Sequence, residues 1–597
     1  MDIVFVNSTS GNIEIIPRFL KKEEILVLTD SEAVVHQCIK KNINYQTIGN
    51  YIDYSKLRSI NQKIVINQRK FIERLYYKLK SNNYYSEILR DYFYSYNFEF
   101  YKLNNSLKIF FQKHKVNKVY FSYDENLFMS PDSYSKGSII SYLLILKYSK
   151  IYKFKIYLSL LKKLNIEEEK FNNYYMKFNK FENKYKKKNL KDLYFFTFNQ
   201  CYTDLLSCLD RSKNNVVTFK TNGNIFGEFN YENKKNDLDK FTKKKLRLIH
   251  NILKFNLENE FKKLFLNINF VNLKILLNHI NKEIWIKLLD FEKIKLHITE
   301  NLKLNKIENI YLSGISFNYP IASYLSFKKK KVIIRQHGGL SHPHWPNLSQ
   351  VKGCEFIANS KYIKKNIIPW GNEINYLSRY SFDFNIKKKV KNKKFILIAE
   401  GVFGNPVNIK KYFNFYNNFF KNFGNSHSFK FRTHPRFKSN LYSHFEKLSN
   451  ISIDKKNNIN QTLSSAIMVL INYDTPNSVF QDAIFNEIPV VLISPEERIK
   501  SHLYENNCYG FPHICKNHEE LNKYIIKIQD KNFRNSLIQT QKKWCVRIFG
   551  NNKFNTIKSL NYIKIKDTKS IFKTFNFKRN LKNFILKVIL LFMKKNK

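Results

Sequence analysis

Glycine (15), proline (12), methionine (5) and tryptophan (4) are scarce in a chain of 597 residues. Acidic side chains are scarce as well: 48 Asp and Glu stand against 103 Lys and Arg, a formal net charge of +55. Cysteines occur at 38, 201, 208, 354, 508, 515 and 545, an odd number with no CxxC pair. That pattern argues against a disulfide framework and a structural zinc, and it fits a reducing cytoplasm. No run approaches the roughly 18 apolar residues of a membrane-spanning helix. The nearest, Phe584 to Met593, is ten residues long with Lys587 inside it. The opening MDIVFVNSTSG reads as a strand entering a turn, not as a secretory signal. Aromatics are plentiful at 16%, and 43% hydrophobic residues is too many for a disordered chain. At roughly 100–200 residues per domain, two to four domains or one large two-lobed enzyme are expected.

Lys, Asn, Ile, Phe and Tyr abound throughout, the signature of an AT-rich coding bias in which Lys fills exposed positions by default. A nucleic-acid groove would gather its cations in one place with aromatics between them, and here they are spread, so no nucleic-acid partner is expected. The scarce residues are the better guide. Nine of the 15 Gly lie between Gly314 and Gly510, ten of the 12 Pro between Pro320 and Pro512, and nine of the 14 His between His337 and His518. In a Gly- and Pro-poor chain these residues persist where backbone geometry requires them, so the chemistry is expected in about 310–515.

Short β-rich runs (Ile3–Val6, Ile25–Thr29, Asn44–Ile48, Lys118–Ser122) alternate with helical stretches in residues 1–150, the grammar of a parallel sheet. Residues 151–305 are Lys-rich with helical spacing and no proline, and are expected to form a largely helical insertion, with 160–195 as one or two amphipathic helices. The α/β grammar returns over 306–350, with strands Ile310–Ser313 and Lys331–Arg335, and this segment is expected to rejoin the N-terminal domain and end in the Gln336–Gly339 loop. A loop-rich linker is expected over 351–394. A second series over 395–550 has strands Phe395–Ala399, Phe429–Arg432, Ile467–Ile471 and Val490–Ile493, and 551–597 forms a basic amphipathic tail. The expected fold is α/β: two Rossmann-like domains facing a cleft, with ligands at the carboxyl ends of the strands.

Three motifs sit at such strand ends. Lys430-Phe-Arg432-Thr-His434-Pro435-Arg436 delivers Arg432, His434 and Arg436 where Pro435 ends the strand. The alternatives are a phosphate or diphosphate site and an ordinary strand end on a basic surface. After Ile467–Ile471 come Thr475 and Ser478 at a helix N-terminus, either an anion site or simple N-capping. Asp482 lies one turn on, on the same face, within reach of a ribose hydroxyl. The third, Gln336-His337-Gly338-Gly339, closes strand Lys331–Arg335 with two glycines that admit close backbone approach. His342 and His344 follow, with no carboxylate or thiolate at ligand spacing, so no metal is expected.

The order from strand Phe395–Ala399 through Glu400-Gly401-Val402-Phe403-Gly404, Arg432-Thr-His434-Pro435-Arg436 and Thr475-Pro-Asn-Ser478…Asp482-Ala483…Ile488-Pro-Val-Val491 resembles the donor half of GT-B glycosyltransferases. It is most similar to surface-carbohydrate transferases: Kdo transferases, bacterial sialyltransferases and CDP-glycerol glycerophosphotransferases. The resemblance covers about 305–525. It implies that His434 and Pro435, with Thr475 or Ser478, bind the nucleotide phosphate, and that Asp482 holds the ribose. It also places Gly401 and Gly404 at the donor and the Gln336–Gly339 loop on the cleft. The family's acidic catalytic motif has no clean counterpart. Asp124 and Glu125 come nearest, with Asn126 in place of Gly, and His337 and His434 complete the catalytic candidates.

The implied activity is transfer of a sugar or sugar acid from a nucleotide-activated donor to a bacterial surface glycan such as capsule or LPS, inverting and independent of metal or cofactor. The implied partners are the nucleotide sugar and a glycan or lipid-linked acceptor, and the implied location is the cytoplasm, peripheral on the inner membrane. Two rivals stay open: a GT-B-fold nucleotide-sugar epimerase, and a non-enzymatic basic protein of nucleic acid or membrane. The tail carries 12 Lys and one Arg against Asp567 and ends LKNFILKVILLFMKKNK. It either lies in an anionic membrane interface or packs on the N-terminal lobe.

Overall fold

In the computed structural model the described residues are 1–6, 23–123, 133–160, 178–179, 192–197, 215–221, 238–265, 270–301, 307–314, 318–336, 345–376, 395–399, 408–423, 427–432, 445, 448, 450–454, 459–473, 478–495 and 510–550. They form an α/β protein built on parallel sheets.

The first sheet is made by β1 (Asp2–Val6), β2 (Ile25–Thr29), β3 (Tyr45–Thr47), β4 (Lys118–Tyr123) and β5 (Lys155–Leu160), in the order β3-β2-β1-β4-β5 and parallel throughout. Its helices are α1 (Glu32–Lys40), α2 (Tyr54–Leu79), α3 (Arg90–Lys113) and α4 (Ser133–Tyr152), with a 3-10 stretch at Lys80–Leu89. Helix starts follow side-chain chemistry. Ser31 accepts from the Val34 amide and Asp53 from that of Lys56, each satisfying an N-terminal N–H.

The second sheet combines β6 (Phe178–Asn179), β7 (Asp192–Thr197) and β8 (Asn215–Thr221) with β9 (Ile307–Gly314), β10 (Lys331–Gln336), β11 (Glu355–Ala358) and β12 (Ile374–Tyr376). The order is β12-β11-β10-β9-β7-β8-β6, with only the short β6 antiparallel. Helices α5 (Lys240–Leu264), α6 (Phe270–Asn301), α7 (Asn318–Phe327) and α8 (Lys361–Asn366) belong to it. Three sequence expectations change here. Residues 151–305 are not only helical: they supply β5 to the first sheet and β6 to β8 to the second, and 192–197 is a strand where a helix was expected. The strands after 306 pair with β7 and do not rejoin the first sheet. Residues 351–394 are not merely a linker, because β11, α8 and β12 complete the second sheet before the chain leaves it.

The two sheets share one apolar core. It runs from Phe5 and Phe121, whose rings stack at 5.3 Å, through Tyr85, Tyr92 and Leu257 to Leu312 and Ile334. Arg90, 1% exposed, ties the layers together. It pairs with Glu87, donates to the Leu348 and Gln350 carbonyls, and stands 4.8 Å from the Trp370 ring centroid and 5.0 Å from that of Tyr319. A cation is tolerated at this depth because its charge is paired and its donors meet carbonyl oxygens.

The third sheet, β13 (Phe395–Ala399), β14 (Phe429–Arg432), β15 (Ile451–Ile453), β16 (Ala466–Asn472), β17 (Val490–Ile493) and β18 (Ile514–Cys515), is fully parallel in the order β15-β14-β13-β16-β17-β18. All five residues of β13 and all seven of β16 are buried, as expected of strands covered on both faces. The covering helices are α9 (Ile409–Phe423), α10 (Ile459–Leu463), α11 (Ser478–Phe485), α12 (His518–Lys527) and α13 (Lys531–Phe549). Phe419, Phe420, Phe429, Phe431 and Phe445 form an aromatic cluster under α9. The sheet touches both others: Val35 and Ile39 of α1 pack into the core under α9, and α13 lies against α8.

Candidate functional site

A parallel sheet of this kind offers one privileged position, the gap where strand order reverses direction. In the third sheet the chain runs outward from β13 to β14 to β15, then returns to lay β16, β17 and β18 on the other side. The reversal lies between β13 and β16, which pair directly from Ile396↔Met468 to Ala399↔Ile471. All these strands point the same way, so the segments after β13, β14 and β16 leave from one edge of the sheet. Those segments begin at Glu400, Thr433 and Tyr473. The three donor motifs read from the sequence thus leave consecutive positions along one sheet edge, with the β14 and β16 ends two strand spacings (about 10 Å) apart.

Arg432 closes β14 and is 15% exposed in its side chain. Its Nη1 donates to Asp454 Oδ2 at 2.7 Å, and the Thr462 hydroxyl donates to the same oxygen at 2.7 Å. Asp454 follows β15 directly, and its side chain is 1% exposed. The buried carboxylate therefore holds the guanidinium at the strand end. Sequence reasoning found Arg432 but not Asp454 or Thr462. The signal was a carboxylate one residue past an edge strand.

Asn472, the last residue of β16, is 2% exposed, and its Oδ1 accepts from the Tyr416 hydroxyl of α9 at 2.9 Å. This bond fixes the end of β16. Helix α11 then opens at Ser478, with Phe480, Gln481 and Ala483 buried and Asp482 partly exposed. The Asp482 carbonyl accepts from the Asn486 amide side chain at 2.6 Å. Further along, Asn517 and Glu520 cap the start of α12. Asn517 Oδ1 accepts from the Glu520 amide at 2.8 Å, and Glu520 Oε2 accepts from the Lys516 amide at 2.7 Å.

At the carboxyl edge of the second sheet, Gln336 ends β10 and is 1% exposed. Its Oε1 accepts from the Asn359 amide at 3.0 Å, and its carbonyl accepts from Asn359 Nδ2 at 3.3 Å. The side-chain oxygen expected to face a cleft is thus bound to the chain just after β11, fixing the base of the loop that follows β10. His337, Gly338 and Gly339 lie outside the described residues, as do Asp124, Glu125, Gly401, Gly404, His434, Pro435, Arg436 and Thr475 and the side chain of Ser478. In the chain, Asp124 follows the end of β4, and β4 adjoins β1 at the first sheet's own reversal point.

Cys38, Cys354, Cys515 and Cys545 are buried, and burial pushes each thiol upward, to about 12 for Cys38 and Cys515, which disfavours the thiolate. Among the described residues no group of three His, Cys, Asp or Glu is placed to hold a metal ion, and no helix is long and apolar enough to cross a membrane. A groove of about 670 Å³ lies between α2, α3 and the end of α5, lined by Lys70, Arg74, Tyr77, Tyr101 and Lys263 among others, away from all three strand edges.

No protein-family model matches the sequence, and no curated protein matches it. Among solved structures, three similarities are to GT-B glycosyltransferases. The wall teichoic acid polymerase TagF is 11% identical over 47% of this chain and 75% of its own, with a TM-score of 0.30. S. aureus TarM, solved in complex with fondaparinux, α-GlcNAc-glycerol and UDP, is 11% identical over 45% of this chain and 54% of its own, with a TM-score of 0.29. The calicheamicin glycosyltransferase CalG4 is 8% identical over 60% of this chain and 94% of its own, with a TM-score of 0.32.

Proposed function

We propose that the protein is a GT-B-type glycosyltransferase that moves a sugar or sugar acid from a nucleotide-activated donor to a surface glycan. The observation that carries this reading is the third sheet's strand order: the Glu400-Gly401, Arg432–Arg436 and Thr475–Ser478 segments leave neighbouring strand ends around one reversal point. In this reading Arg432, oriented by Asp454, joins His434, Arg436 and the α11 N-terminus around the donor's phosphates. Asp482 reaches the ribose, and Gly401 and Gly404 let the backbone approach the nucleotide.

The reaction is one in-line displacement. An acceptor hydroxyl oxygen bonds to the anomeric carbon while the bond from that carbon to the donor phosphate oxygen breaks, its electron pair leaving with the phosphate. The hydroxyl proton passes to a carboxylate of Asp124 or Glu125, or to His337. Arg432, Arg436, His434 and the helix dipole take up the charge on the departing phosphate, the part a metal plays elsewhere, so the scheme uses neither metal nor cofactor. The acceptor is a glycan or a lipid-linked glycan, reached from the cytoplasm at the inner membrane.

Thermal unfolding in the presence of CMP, CDP, UDP and GDP tests the reading. Saturation near 100 times Kd adds about 2.7 kcal/mol to the folded state. One of the four is expected to raise the transition temperature, and His434→Ala to abolish the rise while keeping the ligand-free transition. No shift with any nucleotide, or an undiminished shift in the variant, would sink the proposal.

A further inference from the structure

Helix α5 carries two apolar rows. Leu246, Ile249, Leu253, Leu257 and Phe261 face inward and are buried. Phe241, Leu248 and Phe255 form a second row, 79%, 62% and 62% exposed. At 3.6 residues per turn the second row lies about 160° around the helix from the first, so it cannot be a fringe of the core. The seven-residue spacing keeps all three side chains in one narrow stripe about 21 Å long. Polar and basic residues flank it: Lys244 and Arg247 on one side near its start, Lys262 and Lys263 at its end, all exposed.

Helix α5 is tied to α2 by Lys78, which donates to Asn256 Oδ1 at 2.6 Å, and by Arg74, which pairs with Glu260 at 3.1 Å. Three apolar side chains spaced along one face of a braced helix and bordered by cations match an interface with apolar depth below and negative charge above.

We infer that the α5 ridge docks the protein on an anionic phospholipid surface, with Phe241, Leu248 and Phe255 entering the headgroup–acyl boundary and Lys244, Arg247, Lys262 and Lys263 meeting lipid phosphates. Charge selects this occupant over a second copy of the chain. A two-fold contact through the ridge would bring two strongly net-positive helix faces together, whereas a phosphate surface neutralises them. The inference depends neither on the transferase reading nor on the 551–597 tail.

Sedimentation of the full chain with vesicles of phosphatidylcholine containing about 30 mol% phosphatidylglycerol, and with phosphatidylcholine alone, tests it. The parent is expected to bind the anionic vesicles preferentially and to weaken as salt rises. The exposed-site variant Phe241→Ser/Leu248→Ser/Phe255→Ser is expected to keep the parent's circular dichroism and to bind at least about tenfold more weakly. Lys244→Glu/Arg247→Glu is expected to lose the preference for anionic lipid. Failure of the parent to bind, or equal binding by the parent and the serine variant, overturns the inference. So does a parent dimer that the serine variant converts to a monomer, which would give the ridge to a second copy.

Discussion

The Arg432–Asp454 pair separates a structural strand end from an anion site. Asp454 is buried to 1% of its side-chain area, with two donors on one oxygen, so Asp454→Ala removes an ion pair and a Thr462 hydrogen bond together. Breaking a buried pair costs about 3–5 kcal/mol, and Arg432 at 15% exposure recovers part of its hydration, which sets the expectation near about 3 kcal/mol. The loss should be local. Native-state hydrogen exchange of peptides covering 429–432 and 451–454 should accelerate by about two orders of magnitude, while β17 is unchanged. Arg432→Ala should destabilise the same peptides at least as much, because it strips the cation from the more deeply buried carboxylate. The double variant completes a cycle whose coupling term should be about 1–3 kcal/mol. Nucleotide affinity is the second readout. If Arg432 binds donor phosphate, Arg432→Ala in the Asp454→Ala background still lowers affinity, because the guanidinium has a role beyond its partner. If affinity is the same in the single Asp454→Ala and the double variant, Arg432 only holds the strand edge and the anion-site argument fails for it.

Two further outcomes follow from the same coordinates. Gly550 closes α13 at φ +81°, where a Cβ would stand 2.7 Å from Tyr376 Cε2. Gly550→Ala should therefore destabilise by about 2–4 kcal/mol and speed proteolysis near the α13–β12 join, with Tyr376→Ala relieving the clash but not the backbone strain. His513 is 8% exposed, and burial holds its pKa below 6.5. The unfolded chain then binds the extra proton first, so stability is complete above about pH 6.5 and falls as pH drops through the folded-state value. His513→Phe should flatten that part of a urea-midpoint profile against pH, and an unchanged slope would contradict the assignment.

The third sheet was legible because its strands are continuous apolar runs in a polar chain. Phe395–Ala399, Phe429–Arg432 and Val490–Ile493 have the expected bounds, and FILIA or VVLI has no amphipathic alternative. The second sheet was legible only in part: the expected Ile310–Ser313 and Lys331–Arg335 fall within observed strands. Its strand Asp192–Thr197 (DLYFFT) lies in a Lys- and Asn-rich stretch where composition suggests a solvated helix, and it is fixed by pairing with Asn215–Lys220 on one side and with Ile307–Leu312, over a hundred residues away, on the other. Glu355–Ala358 is four residues long, too short to show a period. The same division runs through the site. Residues next to a strand end, such as Arg432, are visible in sequence. The groups that fix them, Asp454, Thr462 and Tyr416, come from other elements and become visible only in the fold.

Scarcity of glycine turns out to mark backbone constraint in general rather than ligand binding in particular. The described glycines at positive φ are Gly353, Gly371, Gly510 and Gly550, and none belongs to a donor motif. Gly353 and Gly371 turn the chain within the second sheet's connections, and Gly550 lets α13 meet Tyr376. Elsewhere the chain does without glycine where it is ordinarily favoured. Lys153 and Glu487 follow helix ends at φ 57°, and Lys329 at φ 58°, each accepting left-handed strain that glycine would avoid. A sequence that places Lys at such positions keeps Gly where even strained Lys fails, for want of space or of an accessible φ, ψ pair. Gly353 and Gly550 satisfy that condition by sterics against Ser326 and Tyr376. The adjacent pair Gly338-Gly339 and the spaced pair Gly401/Gly404 follow strands β10 and β13 in the chain and lie outside the described residues.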